Sequence, residues 1–356
     1  MPAINKQDRK AGALMGAFIG DALGLGPHWY YDLDEQRNDY GEWIDGYTNP
    51  KAGRYHEACS AGDSSQAGYI LEMVMKSCVR KGSYDHTDFC ESLENGLFAQ
   101  IDGSPYSGPG GYTSQSIREA WKRRIGLGLG WDNTAGNADT TEAIERVLAI
   151  SVLYSDDPKQ LAESVLRNAA VTHSDDTILS LTLAYSALLA FLVEGEKMDE
   201  EISSKLMAQV KDGRLPFHAV TSGNLEPPKS GQKEKERIGN FASPDALLSP
   251  SYMAQAANDP SLKIEPAWKV SIVYGMPCAA YHILPAAYYL AARFSDDFES
   301  AVLHAINGGG QNQSRAILAG ALVGAQVGLS GIPERFVDGL NRSSELLDLV
   351  ATFAEL

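Results

Sequence analysis

Cysteine is scarce in this chain, long apolar runs are few, and positive charge is outweighed. The four cysteines, Cys59, Cys78, Cys90 and Cys278, are scattered without CxxC spacing. Neither a zinc framework nor a disulfide framework is expected from them. Cys78 and Cys278 stand among apolar neighbours and are read as small core hydrophobes. No apolar run is expected to reach the roughly 18 residues of a membrane span. The first residues, MPAINKQDRK, lack the apolar core of a signal peptide. A reducing cytoplasm fits both observations. The formal net charge is −16. Nucleic acid needs a basic footprint, so that charge argues against it, and against an anionic membrane surface.

What remains is ample apolar material. Of the 356 residues, 44% are hydrophobic and 21% charged, enough for a large core and far from disorder. Helical periodicity dominates. Ile70, Met73, Val74 and Cys78 recur on one face, and Ile144, Val147, Leu148 and Val152 repeat the pattern. Further helices are expected over 11–23, 174–193, 281–294, 298–306 and 313–328. The 174–193 stretch is apolar enough to be buried on several sides. No alternating strand longer than a few residues is present. The fold class expected is all-α, a single compact multi-helix domain. Two stretches read as loops or lids. Residues 101–136 are broken by glycines (SPYSGPGGY, IGLGLGW), and 221–266 carry Pro-Pro and the GQKEKER run.

Five polar clusters sit at helix ends: GDALGLGPHWYYD (20–32), AGDSSQ (61–66), GNADTTE (136–142), THSDDT (172–177) and GGGQNQSR (308–315). Each has a plain reading as a cap. Asp63 or Ser64 caps the helix that follows, Asp139 and Glu142 form a capping box, and Ser174 caps the long apolar helix. Asp175 and Asp176 then favour that helix's dipole. The last cluster is unusual. Gln311, Asn312, Gln313, Ser314 and Arg315 open an apolar helix with amides, where a turn of that form more often carries carboxylates.

Taken together, the clusters resemble the ADP-ribosylglycohydrolases in order and spacing over nearly the whole chain. Gly20-Asp21-Ala22-Leu23-Gly24 is similar to that family's GDALG helix end. Gly62-Asp63-Ser64-Ser65-Gln66 stands at its TDDTQ helix start, Gly136-Asn137 at its GN turn and Thr172-His173 at its TH pair. Gly309 to Ser314, followed by AGALVGAQVGLSGIPE, stands at its GGDTDT turn and final helix. The resemblance implies two magnesium ions held by the carboxylates and threonines of those motifs, plus a Glu after GDALG. Here Gly62, Ser64, Gln311, Gln313 and His28 stand at such positions, and of those carboxylates only Asp63 is retained. Magnesium wants hard, mostly anionic oxygens, and imidazole is a poor ligand for it. No metal and no other cofactor is therefore expected. The amides instead suit neutral hydrogen bonding, since each both donates and accepts. The GPHWYYD segment resembles that of the J-type lens crystallins and the selenoprotein J group, whose magnesium ligands are also eroded.

Two readings follow. The first is a metal-independent hydrolase of a glycosidic or other C–N bond in a small, ribosyl- or nucleoside-like substrate. Its catalytic groups would be Asp63 as base or cation stabiliser, with His28 or Asp139 as the acid partner. Its ligand-binding residues would be Asp21, Trp29, Ser64, Ser65, Gln66, Asn137, Glu142, His173, Gln311, Asn312, Gln313 and Arg315. The second is a non-catalytic, ligand-binding or crystallin-like protein. The polar character of the replacements favours the hydrolase, because unpaired buried amides cost about 1–3 kcal/mol each. The partner is a small molecule, and a homo-oligomer is compatible with the sequence.

Overall fold

The protein is described by a computed structural model covering residues 4–218, 230–231, 239–241 and 244–356. Its helices, in chain order, are α1 (Lys6–Leu25), α2 (Leu33–Tyr40), α3 (Gln66–Lys81), α4 (His86–Ser92), α5 (Gln115–Trp121), α6 (Glu142–Arg146), α7 (Leu148–Leu153), α8 (Pro158–Ala169) and α9 (Asp176–Val193). They continue with α10 (Ile202–Lys211), α11 (Pro244–Asn258), α12 (Val270–Tyr274), α13 (Ala280–Arg293), α14 (Phe298–Ile306), α15 (Asn312–Val327), α16 (Glu334–Asp338) and α17 (Ser343–Ala354). Among the described residues there are no strands, only isolated bridges. The fold is all-α.

The architecture is organised by α1 and α15, which run antiparallel in backbone contact. Glycines recur every fourth residue on α1 at 12, 16, 20 and 24, and on α15 at 320 and 324. A Cβ on Gly16 would lie 2.2 Å from the Gly320 carbonyl oxygen. One on Gly20 would lie 2.2 Å from that of Ala316, and one on Gly24 would lie 2.4 Å from Cα of Gln313. Only residues without a side chain permit that approach. The contact delivers the C-terminal end of α1 to the N-terminal end of α15. Leu14, Phe18, Leu318 and Leu322 fill the core around this pair with no exposure, each contributing about 2 kcal/mol of apolar burial.

Several expectations on helix starts are corrected. Ser65, not Asp63 or Ser64, caps α3, accepting from the Ala67 N–H. Asp175, not Ser174, caps α9 by accepting from the Thr177 and Ile178 N–H groups. The capping box of Asp139 and Glu142 does not form. Helix α6 begins at Glu142 itself, behind Thr141, so Glu142 is at its first position rather than its third.

The 18-residue helix α9 also corrects the membrane expectation. By length and composition it would cross a membrane, yet 72% of it is buried inside the fold, packed as a core helix. In the first predicted loop, residues 115–121 form α5. In the second, Pro244–Asn258 forms α11, while most of 221–243 lies outside the described residues. Cys278 is half-buried rather than core, whereas Cys78 and Cys90 are buried.

Candidate active site

The site forms where the ends of α1, α3, α6 and α15 meet. Asp21, on the last turn of α1, reaches across to α3. Its carboxylate accepts from the Ser65 N–H at 2.8 Å and the Ser65 hydroxyl at 2.5 Å. Burial pushes it up to about 6 against the pull of those bonds and of the Gly68 N–H. Asp21 thus joins two helices and stands behind the site.

Immediately after α1, His28 and Trp29 are aimed by a backbone bridge to the glycine turn. The Trp29 N–H donates to the Gly310 carbonyl at 3.1 Å, and the Gly310 N–H donates to that of Tyr30 at 2.7 Å. Gly309 and Gly310 both have positive φ, with no room for a Cβ beside Tyr30 and Met276. Trp29 itself has φ 61°, unusual for a bulky residue. Its indole N–H donates to the Gln311 side-chain oxygen, and its ring stacks on His28 at 5.3 Å. His28 meets His56 edge to face at 4.8 Å, and Tyr112 packs 5.0 Å from Trp29. Burial, and secondarily the neighbouring His56, hold His28 well below the usual histidine range. Burial lowers His56 to about 4, partly opposed by the Gly110 carbonyl.

Most of the opening amides of α15 are committed to the fold. The Asn312 side chain donates to the Gly24 carbonyl at 3.3 Å and that of Gln313 to the Asp21 carbonyl at 3.1 Å. The Gln311 amide donates to the Ser314 hydroxyl at 2.8 Å. Arg315 is fully buried and binds the carbonyls of Ala305 and Gly309 at 2.9 and 2.7 Å. It closes the glycine turn with Nε and Nη2, while its Nη1 is buried without a hydrogen-bond partner among the described residues.

Helix α6 supplies the ionisable groups. Glu142 and Glu145 are one turn apart and share a face. Burial acts to raise the Glu142 carboxyl, but His173 and the hydroxyls of Thr140 and Ser116 outweigh it and hold it below the usual range. Ser116 donates to it at 3.0 Å and His173 Nε2 faces it at 3.6 Å. Glu145 is 3% exposed, and burial together with the Glu142 charge pushes it up to about 7. The Thr141 hydroxyl donates to it at 2.6 Å. Two carboxyls one turn apart are thereby driven in opposite directions.

Both carboxyls line a cavity of about 40 Å³, walled by His28, His56, Ser65, Gln66, Tyr112 and the side chains of 311, 313 and 314. A larger groove of about 500 Å³ lies on the outer face of α3, but its cations Lys76 and Arg80 are paired with Glu72 and Asp88. Chemistry with two carboxyls of unlike acidity belongs to the smaller one.

Of the residues expected at the site, His28, Ser65, Gln66, Glu142, Gln311 and Gln313 line the cavity. Trp29 flanks it through His28, and His173 stands behind Glu142. Asp63 does not line it. Its carboxylate accepts from the Ser60 N–H at 2.7 Å and the Asn341 amide at 2.7 Å, tying a surface loop to the region before α17. Ser64 lies outside the cavity with it. Asp139 is exposed and accepts from the Tyr281 hydroxyl at 3.2 Å. Asn137 is exposed and accepts from Ser174 at 2.9 Å. Neither Asp63 nor Asp139 is therefore placed to act with His28, and His28 is held unprotonated. Glu145, Arg146, His56 and Tyr112 line the cavity but were not anticipated. The spacing ADTTEAIER carried a signal for Glu145, three residues after Glu142 on a helix. His56 and Tyr112 lie in irregular stretches that carry none.

The chain matches the ADP-ribosylglycohydrolase family over residues 2–356. An uncharacterized protein of Archaeoglobus fulgidus is 24% identical over 347 residues, covering 97% of this chain and 95% of its own length. A solved structure described as an ADP-ribosylglycohydrolase-related protein complex superposes with a TM-score of 0.62 at 18% identity, covering 99% of this chain and 98% of that one. At that identity the likeness speaks to the fold. Matched from end to end, the chain belongs to the ADP-ribosylglycohydrolase family.

Proposed function

We propose that the protein hydrolyses a glycosidic or other C–N bond in an ADP-ribose-like substrate, using Glu145 as the acid and Glu142 as its carboxylate partner, without a pair of magnesium ions. The observation that carries this reading is the divergence of two carboxyls over one cavity, one held below the usual carboxylate range and one raised to about 7. Such divergence is how one site performs acid and base work together. As the C–N bond breaks, its electron pair leaves with nitrogen, which takes the Glu145 proton. Glu142 faces the carbon that gains positive charge. A water oxygen then bonds to that carbon and its proton passes to Glu142. Solvent restores both carboxyls.

The donor chemistry supports the metal-independent part. At the motif turns Ser64, Gln311 and Gln313 offer neutral oxygens, and that of Gln311 already accepts from the Trp29 indole. Glu142 is engaged by Thr140 and Ser116. Two magnesium ions bring four positive charges and need hard anionic oxygens to balance them, and this set does not fit them. The replacements, with the His28-Trp29 segment, support placement beside the J-type crystallin-like members. The cavity of about 40 Å³ admits the reacting group alone, far below the roughly 300–1,000 Å³ of a whole-ligand pocket. Entry of a whole substrate therefore requires the cavity to open.

The test is turnover of a panel of ADP-ribosylated and ribosyl N-glycosides in EDTA and in Mg²⁺, with wild type, Glu145→Gln and Glu142→Gln. Cleavage that persists in EDTA and falls about a hundredfold in each variant is expected. Cleavage that needs Mg²⁺ and is unchanged in Glu145→Gln would sink the proposal.

A further inference from the structure

Arg146 follows Glu145 on α6, is 2% exposed and lines the same cavity. Its hydrogen bonds all end on neutral oxygens. Nε donates to the Asn168 side-chain oxygen at 2.7 Å, and Nη2 donates to the carbonyls of Asn168 and Ala169 at 2.9 and 3.2 Å. Those carbonyls close the C-terminal end of α8, where a cation is favourable. That structural task occupies two of the three guanidinium nitrogens. Nη1 is buried and finds no hydrogen-bond partner among the described residues. Burial lowers the group, chiefly by desolvation, only to about 10, so it stays charged at neutral pH. A buried, charged donor without an acceptor is costly, and native proteins seldom leave one so. Arg146 is also part of the cavity wall, so a ligand in the cavity is an acceptor within its surroundings.

We propose that Arg146 is a substrate-binding residue whose Nη1 receives a carbonyl-type or carboxylate oxygen of the ligand, beside the two carboxyls that act on it. The proposal rests on reading the cavity as the substrate site. It assigns the ligand a polar oxygen close to the bond that breaks. Arg146 contributes a fixed donor, since Asn168 and the end of α8 hold its guanidinium in place. Glu145 in its protonated form adds a second donor alongside, whereas ionised Glu142 supplies only acceptors. The cavity thus presents two donors and one carboxylate, an unequal set that favours one orientation of an unsymmetrical group.

Formate, the smallest carboxylate, serves as the probe, followed by ¹³C NMR titration at pH 6, where Glu145 is protonated. Wild type is expected to bind it, and Arg146→Met to weaken it by about tenfold or more, the worth of a charge-assisted bond. Asn168→Asp is the second variant. It keeps an acceptor for Nε, and the Tyr84 hydroxyl, which accepts from the Asn168 amide at 3.2 Å, can donate to the carboxylate instead, while that carboxylate competes for the guanidinium charge. It too is expected to weaken formate by about tenfold, with a melting temperature no lower than that of wild type. No formate binding by wild type, or equal binding by wild type and both variants, overturns the proposal. Turnover plays no part in this measurement, so its failure leaves the acid–carboxylate reading standing, and the reverse holds too.

Discussion

Replacing Glu145 with glutamine keeps the shape of the side chain and the oxygen that accepts from Thr141, but removes the ionisable proton. In the folded protein burial and the Glu142 charge raise this carboxyl from 4.5 to about 7. A folded-state value above the unfolded one means the native state holds the proton more tightly. The associated stability is fully present below about 4.5 and is lost as pH rises through about 7. A shift of that size corresponds to about 3 kcal/mol. Most of it, about 2 to 3 kcal/mol, is lost between pH 5 and 8.5. Glutamine has no such loss. At roughly 2.1 cal/mol/K per residue, the unfolding entropy of this chain is about 0.75 kcal/mol/K, so the melting temperature of Glu145→Gln should gain about 3 °C on wild type over that range. Asp21, also raised, titrates in both proteins and cancels in the difference except for the smaller part in which its charge raises Glu145. Paired thermal melts from pH 5 to 8.5 read the effect. On a confirmed substrate, kcat/KM of wild type should fall above about pH 7 as the acid form disappears, and the variant should lose about a hundredfold. Melting curves that stay parallel at every pH would show that Glu145 ionises freely, and the acid assignment would go with it.

Three further outcomes follow from the geometry. Gly16→Ala places a methyl 2.2 Å from the Gly320 carbonyl oxygen, so calorimetry should show a loss of at least about 2 kcal/mol, a fall of roughly 3 °C. Asp63→Asn keeps an acceptor for the Ser60 N–H outside the cavity, and should change turnover less than about twofold while costing about 1 kcal/mol or less. A hundredfold loss would return Asp63 to the chemistry. All four thiols should titrate in denatured, unreduced protein. In native protein Cys78 and Cys90, each pushed by burial up to about 12, should resist alkylation far longer.

The fold was legible because its signals are periodic. The 3.6-residue pattern of Ile70 to Cys78 placed α3, and the apolar run after Asp176 placed α9. The motif order also placed the segments that meet, since GDALG, the glycine turn and GNADTTE all converge on one region. Chemistry within the clusters was less legible. Asp63, Ser64 and Ser65 are adjacent in sequence, but only the last turns toward the cavity, because α3 begins there and its cap points at Asp21. Glu142 reads in the sequence both as half of a capping box and as a ligand-binding residue, and neither reading extends to Glu145 one turn further on. His56 reaches the cavity through tertiary folding of an irregular segment, which no periodicity records. That the amide N–H groups of 312 and 313 are taken up by carbonyls at the end of α1 is not visible in a sequence.

The glycine-to-glycine seam between α1 and α15 has a consequence for how such a site can change. The Gly309–Gln313 turn hangs from two backbones in register, and the Asn312, Gln313 and Arg315 side chains then lace it to backbone carbonyls. Of the side chains at 311 to 313, only that of Gln311 holds no backbone carbonyl of a neighbouring segment. A carboxylate at 311 should therefore leave the turn where it is, whereas one at 313 gives up the donor to the Asp21 carbonyl. A single methyl on Gly16, two turns of helix away, should displace the turn.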